Sequence, residues 1–336
     1  MSAPRSVVVV GAGVTGASVA YHAARAGAVV TVVEVAVPGT GVTGDSFAWI
    51  GAAGVRTGPA AELRRSATRE YRRLEAELPG LPVTWSGSLS WGAADTSPQA
   101  GPGQEIVDTA TAARLEPALR RPPDWAVWAP DDGSVDPVGV VNRMITGARS
   151  HSTTMRMGAP VTAIRRDAEG RACGVETAAG FCAGDTVVLA AGVATAALAA
   201  PLGVDVPVEP SPATLFRFSA PPGLVRTVVH TADFDLRQAT PSSLHAAADS
   251  AERTLAAIRS TFRAPDVDLL RSRVAARPMP ADGEPIIGPV PEVPGLYLAV
   301  THSAVTLAAA VGRAVAREVV EGTTEAVLAG CRLDRF

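Results

Sequence analysis

Apolar residues along this chain fall into short β-branched runs and longer Ala-rich stripes. Ser6–Val10 is Val-rich and stops at glycine, which predicts a buried strand. Val14–Ala26 follows as a helix, with Gly27 just past its end. Val29–Val33 is a second β-branched run, ending at Glu34. This order predicts a parallel βαβ unit with a right-handed crossover. Ala60–Leu78 sets Leu63, Ala67, Tyr71, Leu74 and Leu78 on one stripe, with arginines and glutamates opposite, and Pro79-Gly80 stops it. Val83–Trp91 alternates as a strand, Thr111–Leu119 is a short helix, and Trp125–Ala129 is a strand before the turn Asp131-Asp132-Gly133. Pro137–Ala148 is a helix, with Asp136 suited to the N-cap and Pro137 to the first position. Val161–Ile164 and Gly174–Thr177 pair around a turn at Asp167–Gly170. Thr186–Ala190 is a buried strand running into Ala191-Gly192. Leu215–Ser219 and Val225–Thr231 are further strands, Ala247–Ser260 a helix, Leu296–Val300 a strand and Thr306–Glu321 a closing amphipathic helix.

Two stretches interrupt this pattern. Val35–Pro59 is glycine-rich with few charges, and a loop of that length is usually functional. Ala93–Gly103 is a polar loop with Pro and Gly. A chain of 336 residues suggests two domains. A nucleotide-binding sheet is expected from distant pieces, with a second, more antiparallel domain inserted in two parts. Three apolar stretches, Ser6–Ala24, Thr186–Val204 and Val293–Gly312, are long enough to raise a membrane span. Each is Ala-rich and broken by Gly, Pro or Thr, so no span is expected, and the compartment expected is the cytoplasm. A signal-peptide reading of the N-terminus is set aside because Gly11, Gly13 and Gly16 interrupt its apolar run.

Composition narrows the chemistry. Thirty basic residues against thirty-three acidic ones leave a net charge of −3, which argues against nucleic acid as a partner. Cys173, Cys182 and Cys331 form no CxxC, and the five histidines do not pair at ligand spacing, so no metal site is expected. The chain has no lysine, which excludes Schiff-base and pyridoxal-phosphate chemistry.

Gly11-Ala12-Gly13-Val14-Thr15-Gly16 is a GxGxxG motif between a predicted strand and a predicted helix, with Glu34 closing the next strand. Gly11 permits the tight turn, Gly13 lets backbone approach a pyrophosphate, and Gly16 lets helix and strand pack closely. The helix start offers N–H groups and partial positive charge to phosphates. The Glu34 carboxylate suits ribose hydroxyls and repels a 2′-phosphate. The motif alone does not choose between FAD and NAD.

Four segments together resemble the FAD-dependent oxidoreductases of the D-amino-acid oxidase, glycine oxidase and sarcosine oxidase superfamily. They are Val7–Glu34, TGDSFAWIGA at Thr43–Ala52, DTVVLAAGVAT at Asp185–Thr195, and RPMPADGEPIIGPVPEVPGLYLAVTHSAVTLAAAVGRAVAREV at Arg277–Val319. The resemblance covers essentially the whole chain and is loosest at about residues 80–130 and 205–270, where substrate choice is expected. It implies an α/β fold with a Rossmann-like FAD-binding domain of the GR2 type. An α+β substrate domain on a mostly antiparallel sheet is inserted into it. The FAD domain would take residues 1–78, 136–204 and 278–336, and the substrate domain 79–135 and 205–277. Ala191 and Gly192 would lie close to the cofactor, as would Thr43 and Ser46. Val161 would contact the adenine or simply belong to the sheet core. Trp49 would be pocket wall.

The physical case for flavin lies at the closing helix. A reduced flavin carries negative charge near N1 and the C2 carbonyl, which a helix N-terminus stabilises without a side-chain cation. Ser303, Ala304, Val305 and Thr306 are the residues expected there, mostly through backbone. His302 faces the flavin or helps cap the helix, and the cap is the plainer reading. Arg277, in the RP motif, would hold a substrate carboxylate through two parallel hydrogen bonds, the alternative being a structural arginine paired with an acid. The tyrosine that assists in better-known relatives has no counterpart, because Tyr21, Tyr71 and Tyr297 all read as core. RVAARPMPA lacks the cysteine that tethers flavin in sarcosine-oxidase-type members, so FAD is expected to be noncovalent. Their oxygen-activating lysine is absent too, which leaves O2 and an electron-transfer acceptor both open. The reaction implied is oxidation of the C–N bond of a small amine or amino acid, with hydride passing to flavin N5 and the imine hydrolysing. The alternatives are a cyclic or N-alkyl amine in a specialised pathway, an NAD-dependent dehydrogenase, and a non-catalytic flavin-binding protein.

Overall fold

The computed structural model describes residues 4–51, 57–92, 99–263 and 266–336. The expected loops Val35–Pro59 and Ala93–Gly103 fall outside these over residues 52–56 and 93–98. β1 (Ser6–Val10), α1 (Val14–Arg25) and β2 (Val29–Val33) form as expected. β1 pairs in parallel with β2 on one side and with the strand Thr186–Leu189 on the other. The latter pairs in parallel with Leu296–Val300, and Ile286–Pro289 closes that edge antiparallel. Thr154–Arg156 closes the opposite edge, parallel to β2. Val7–Val10 are buried on both faces of this six-stranded sheet, which is why they form a continuous valine run rather than an alternation.

Helices cover the sheet at close range. A Cβ on Gly312, in the closing helix Ala304–Ala316, would lie 2.1 Å from Ser18 Oγ. That hydroxyl donates to Ala308 O at 2.7 Å, joining α1 to the closing helix. On α2 (Ala61–Glu77), the fully buried Tyr71 donates to Val305 O at 2.6 Å. All three tyrosines are core, as expected: Tyr21, Tyr71 and Tyr297 are 3% exposed or less.

A second, eight-stranded sheet carries Ser88–Ser90, Glu105–Asp108, Trp125–Ala129, Val208–Ser219, Val228–His230, Asp235–Thr240, Ser243–Ala247 and Leu269–Pro280. Every neighbouring pair is antiparallel except Val228–His230 beside Ser88–Ser90. Here the sequence pattern is corrected most. The expected strand Val83–Trp91 is split at Gly87, whose φ is +69° and where a Cβ would lie 1.9 Å from the Trp128 ring. The chain turns beneath that ring and passes from a small three-stranded sheet to the large one. The expected helix Ala247–Ser260 begins only at Ala251, capped by Ser250, because Ala247 ends a strand. Leu269–Pro280 was not expected from periodicity. It is an edge strand paired along its length with Val208–Ser219, and its exposed arginines hide the alternation. Prolines are tolerated there because only one side of the strand is paired. The closing helix starts at Ala304, and Arg317–Glu321 continues it as a π-turn. Among the described residues, no helix is long and apolar enough to cross a membrane.

Candidate active site

Parallel strands ending together leave a crevice at their carboxyl ends. Gly11, Glu34, Ala190 and Thr301 follow four neighbouring strands and meet at one edge of the six-stranded sheet. Gly11 has φ +97°, and a Cβ on it would lie 2.5 Å from Ala190 O. A Cβ on Gly16 would lie 2.0 Å from Gly11 O. Gly13 is the N-cap of α1 and supplies no side-chain cap. Thr43 Oγ1 accepts from Val14 N at 3.1 Å. Glu34, 9% exposed, accepts from Ala12 N at 2.6 Å and from Ala36 N at 2.9 Å.

These residues border a cavity of about 520 Å³. Gly11, Gly13, Val14, Thr15, Glu34 and Thr43 line it from the glycine loop side, and Val161, Ala191 and Gly192 from the other. Gly16 lies at neither cavity wall; its place is the helix–strand contact. The Thr15 hydroxyl is spent on Thr301 Oγ1 at 2.9 Å, so Thr15 offers the cavity its backbone.

A second cavity of about 440 Å³ adjoins the first. Val14, Val42, Thr43, Pro278, Thr301 and Ala304 line both, so the two form one elongated space. Ser46, Trp49, Arg277 and His302 line the second, with Ser303, Ala304, Val305 and Thr306 at the start of the closing helix. Ser303 is the N-cap without a side-chain cap bond, which leaves first-turn N–H groups facing the cavity. Thr306 Oγ1 donates to Trp49 O at 2.9 Å and ties the helix to the Ser46–Trp49 loop. His302 is on the wall and makes no cap bond, so the capping reading is corrected. Burial, then the Arg277 and Arg64 charges, lower its pKa below the ordinary imidazole value.

Arg277 reaches the cavity from the edge strand, opposite Ser211, and its Nη2 donates to Ser211 Oγ at 3.1 Å. Its Nε is buried without a hydrogen-bond partner. Among the described residues no carboxylate pairs with it, so the acid-paired alternative is absent. Trp49 Nε1 donates to Asp132 Oδ2 at 3.2 Å, and its ring lies 6.2 Å from that of His230. No tyrosine and no cysteine lines either cavity among the described residues.

Sequence reasoning missed several wall residues. Thr301 and Pro278 adjoin residues it did select, so the motif edges carried a signal. Asp132 reads from the sequence only as a turn residue; it is 3% exposed and also accepts from Ser88 Oγ at 2.7 Å. Asp235, bonded to His230 at 2.5 Å, carries no local signal at all, because a strand places it.

The space fits FAD. It is long and two-ended, with a glycine loop whose backbone is exposed on its wall at Gly11 and Gly13, a carboxylate at one end, and an uncapped helix start at the other. The family described as DAO, FAD dependent oxidoreductase, matches residues 6–318. A glycine oxidase from Bacillus licheniformis is 28% identical over 218 residues, covering 59% of this chain and 57% of that protein. A 4-methylaminobutanoate oxidase (formaldehyde-forming) from Paenarthrobacter nicotinovorans is 33% identical over 216 residues, covering 60% of this chain and 26% of that one. The matched stretches thus span little more than half of the first relative and about a quarter of the second. The solved L-amino acid deaminase from Proteus myxofaciens superposes with a TM-score of 0.89 at 18% identity, covering 100% of this chain and 94% of that one, a likeness of fold.

Proposed function

The chain belongs to the DAO family of FAD-dependent oxidoreductases, and from that premise we propose that it oxidises the C–N bond of a small amine or amino acid whose carboxylate is held by Arg277. When bound, FAD supplies the acceptor for the hydride that leaves the carbon beside nitrogen. The observation that carries the substrate class is the cavity-facing arginine with a buried, unpaired Nε and no acid beside it. A guanidinium left in that condition fits an arriving carboxylate, which it can grip bidentately and so fix the α-carbon. The cofactor end would be held by Gly11, Gly13, Val14, Thr15, Glu34, Thr43, Val161, Ala191 and Gly192. The ring end would be held by Ser46 and residues 303–306, with Trp49 as wall. Noncovalent attachment is supported by the absence of cysteine from both cavity linings among the described residues. The family match decides against the nicotinamide alternative.

In this reading residues 1–78, 136–204 and 278–336 form the cofactor domain, and residues 79–135 and 205–277 the substrate domain. The six-stranded sheet draws its strands from the first set, and the eight-stranded sheet all but the last three residues of its edge strand from the second. A cyclic or N-alkyl amine is the second reading, favoured by the lack of any tyrosine on the cavity wall among the described residues. O2 or an electron carrier would reoxidise the enzyme.

The test is an anaerobic titration of the yellow holoprotein with glycine, sarcosine, proline and D-alanine. Bleaching by one of them names the class, and readmitted air separates oxidase from dehydrogenase. Arg277→Met should lower the bleaching rate at limiting substrate by about 10²–10³-fold for a carboxylated substrate, the loss of roughly two charge-assisted hydrogen bonds. An unchanged rate removes Arg277 from substrate binding.

A further inference from the structure

One imidazole shares the cavity with Arg277. His302 follows the strand Leu296–Val300 and precedes the N-cap of the closing helix. It is half-buried on the wall and has no hydrogen-bond partner among the described residues. The charged groups around it come from three other elements. Arg277 stands on the edge strand, Arg64 on α2, and Glu284 in the turn before Ile286–Pro289. Arg64 and Glu284 pair at 2.6 Å and largely cancel. Among the described residues three carboxylates line the wall, and all are engaged elsewhere: Asp45 faces Arg273 at 3.6 Å, Asp235 bonds His230, and Asp132 accepts from Trp49 and Ser88. Among the described residues, Arg277 is therefore the uncompensated charge acting on His302.

We propose that His302 takes the proton from the substrate nitrogen, and that capture of the substrate carboxylate by Arg277 is what makes it able to do so. The inference rests on the reading of Arg277 given above. In the free site, burial and the Arg277 cation keep the imidazole neutral and a poor base. A bound carboxylate cancels that cation. The penalty on an imidazolium falls only when substrate is in place, so proton uptake is coupled to correct occupancy. The ammonium N–H bond then breaks, its proton passes to the imidazole lone pair, and its electrons stay on nitrogen. With the amine neutral, its lone pair could close a C=N bond as the C–H bond gave up its electron pair as hydride, for which FAD, when bound, would supply the acceptor. The imidazolium afterwards returns its proton to water.

The chain has five histidines, few enough to resolve by NMR in FAD-loaded protein with labelled histidine. His302→Gln identifies the signal, and flavin content confirms that this variant folds, with His302→Asn as a second version. Acetate is the probe. The His302 pKa is expected to rise by about one unit on acetate saturation. In Arg277→Met it should start higher than in the wild type and not respond to acetate. Anaerobic bleaching by the best substrate should slow about 10²–10³-fold in His302→Gln, with acetate affinity retained and the pH limb displaced upward. Acetate that binds without moving the His302 signal overturns the coupling, and wild-type bleaching in His302→Gln overturns the proton transfer. Acetate that does not bind at all overturns the Arg277 reading and the coupling with it.

Discussion

Around the glycine loop, backbone meets backbone; across the eight-stranded sheet, buried side-chain charges reach over to hold backbone. In the first region Gly11 and Gly16 are necessary because carbonyl oxygens stand 2.5 and 2.0 Å from where their Cβ atoms would be. In the second, Arg237, 4% exposed, donates to Phe47 O at 2.6 Å and to Val135 O at 3.1 Å. Glu116, 0% exposed, accepts from Arg226 N and from both the N–H and the hydroxyl of Thr227. Close approach of this kind tolerates no added atom, whereas a buried charge tolerates no lost partner. The two regions should therefore fail to different substitutions.

The largest effect belongs to the glycine loop. Gly16→Ala forces α1 away from β1, which is expected to cost about 3 kcal/mol or more and to abolish flavin binding. Thermal unfolding and the flavin absorbance of the purified variant check this. A variant that is yellow with an unchanged Tm would show that the loop gives way easily, and the contrast between the regions would collapse.

Glu116→Ala comes next. It strands three donors and should cost about 2–4 kcal/mol, while the flavin content of the folded fraction stays near that of the wild type. Loss of flavin in step with stability would mean that the regions do not fail separately. Glu116 also has a pH signature. Burial raises its carboxyl pKa above the ordinary value, so between those two values the folded state binds more protons than the unfolded one. Its contribution to stability is thus present below the ordinary pKa of about 4.5 and is lost as pH rises through the folded value. Glu116→Gln should flatten that decline in a urea-unfolding series.

The same difference decides what the sequence could reveal. GxGxxG, Glu34, the RP motif and the closing strand–helix are legible because each is a short run of residues at fixed spacing, even where its contacts, such as Arg277 with Ser211, lie far away in the chain. β1 and β2 were legible to the residue, and α1 to within one residue at its end. Arg237 acts on a carbonyl 190 residues away and Glu116 on an amide 111 away, and no periodicity encodes such a pairing. Asp132 and Asp235 reached the cavity wall by the same kind of long-range placement. His302 was visible in the sequence, but facing the flavin and capping the helix both stayed open for it, since only the packed structure shows that it stands on the cavity wall.

Two histidines, one from each region, sharpen the comparison at the smallest scale. His22 on α1 and His245 on the large sheet both have pKa values lowered to about 3, burial being the first cause in each. His22 is satisfied: Arg73 Nη2 donates to its Nε2 at 2.8 Å, so Nδ1 carries the proton and donates to Ser18 O at 2.8 Å. Replacing it with alanine should cost about 2–3 kcal/mol at pH 7. His245 stands in register between Arg217 and Arg237, and its Nδ1 is buried without a partner. His245→Leu removes that unpaired atom and should stabilise the protein by about 1 kcal/mol at pH 7. Below pH 6.5 the unfolded chain protonates each histidine while the folded one does not until about pH 3, so the wild type loses stability over that window. Each variant escapes its share of that loss. The advantage of His245→Leu over the wild type should therefore widen from pH 6.5 downward, and the deficit of His22→Ala should narrow. Chemical denaturation at pH 7 and pH 5 measures both. A His245→Leu protein that is less stable at pH 7, with a gap that does not change at pH 5, would place a hydrogen-bonded partner on His245 and make the two histidines alike.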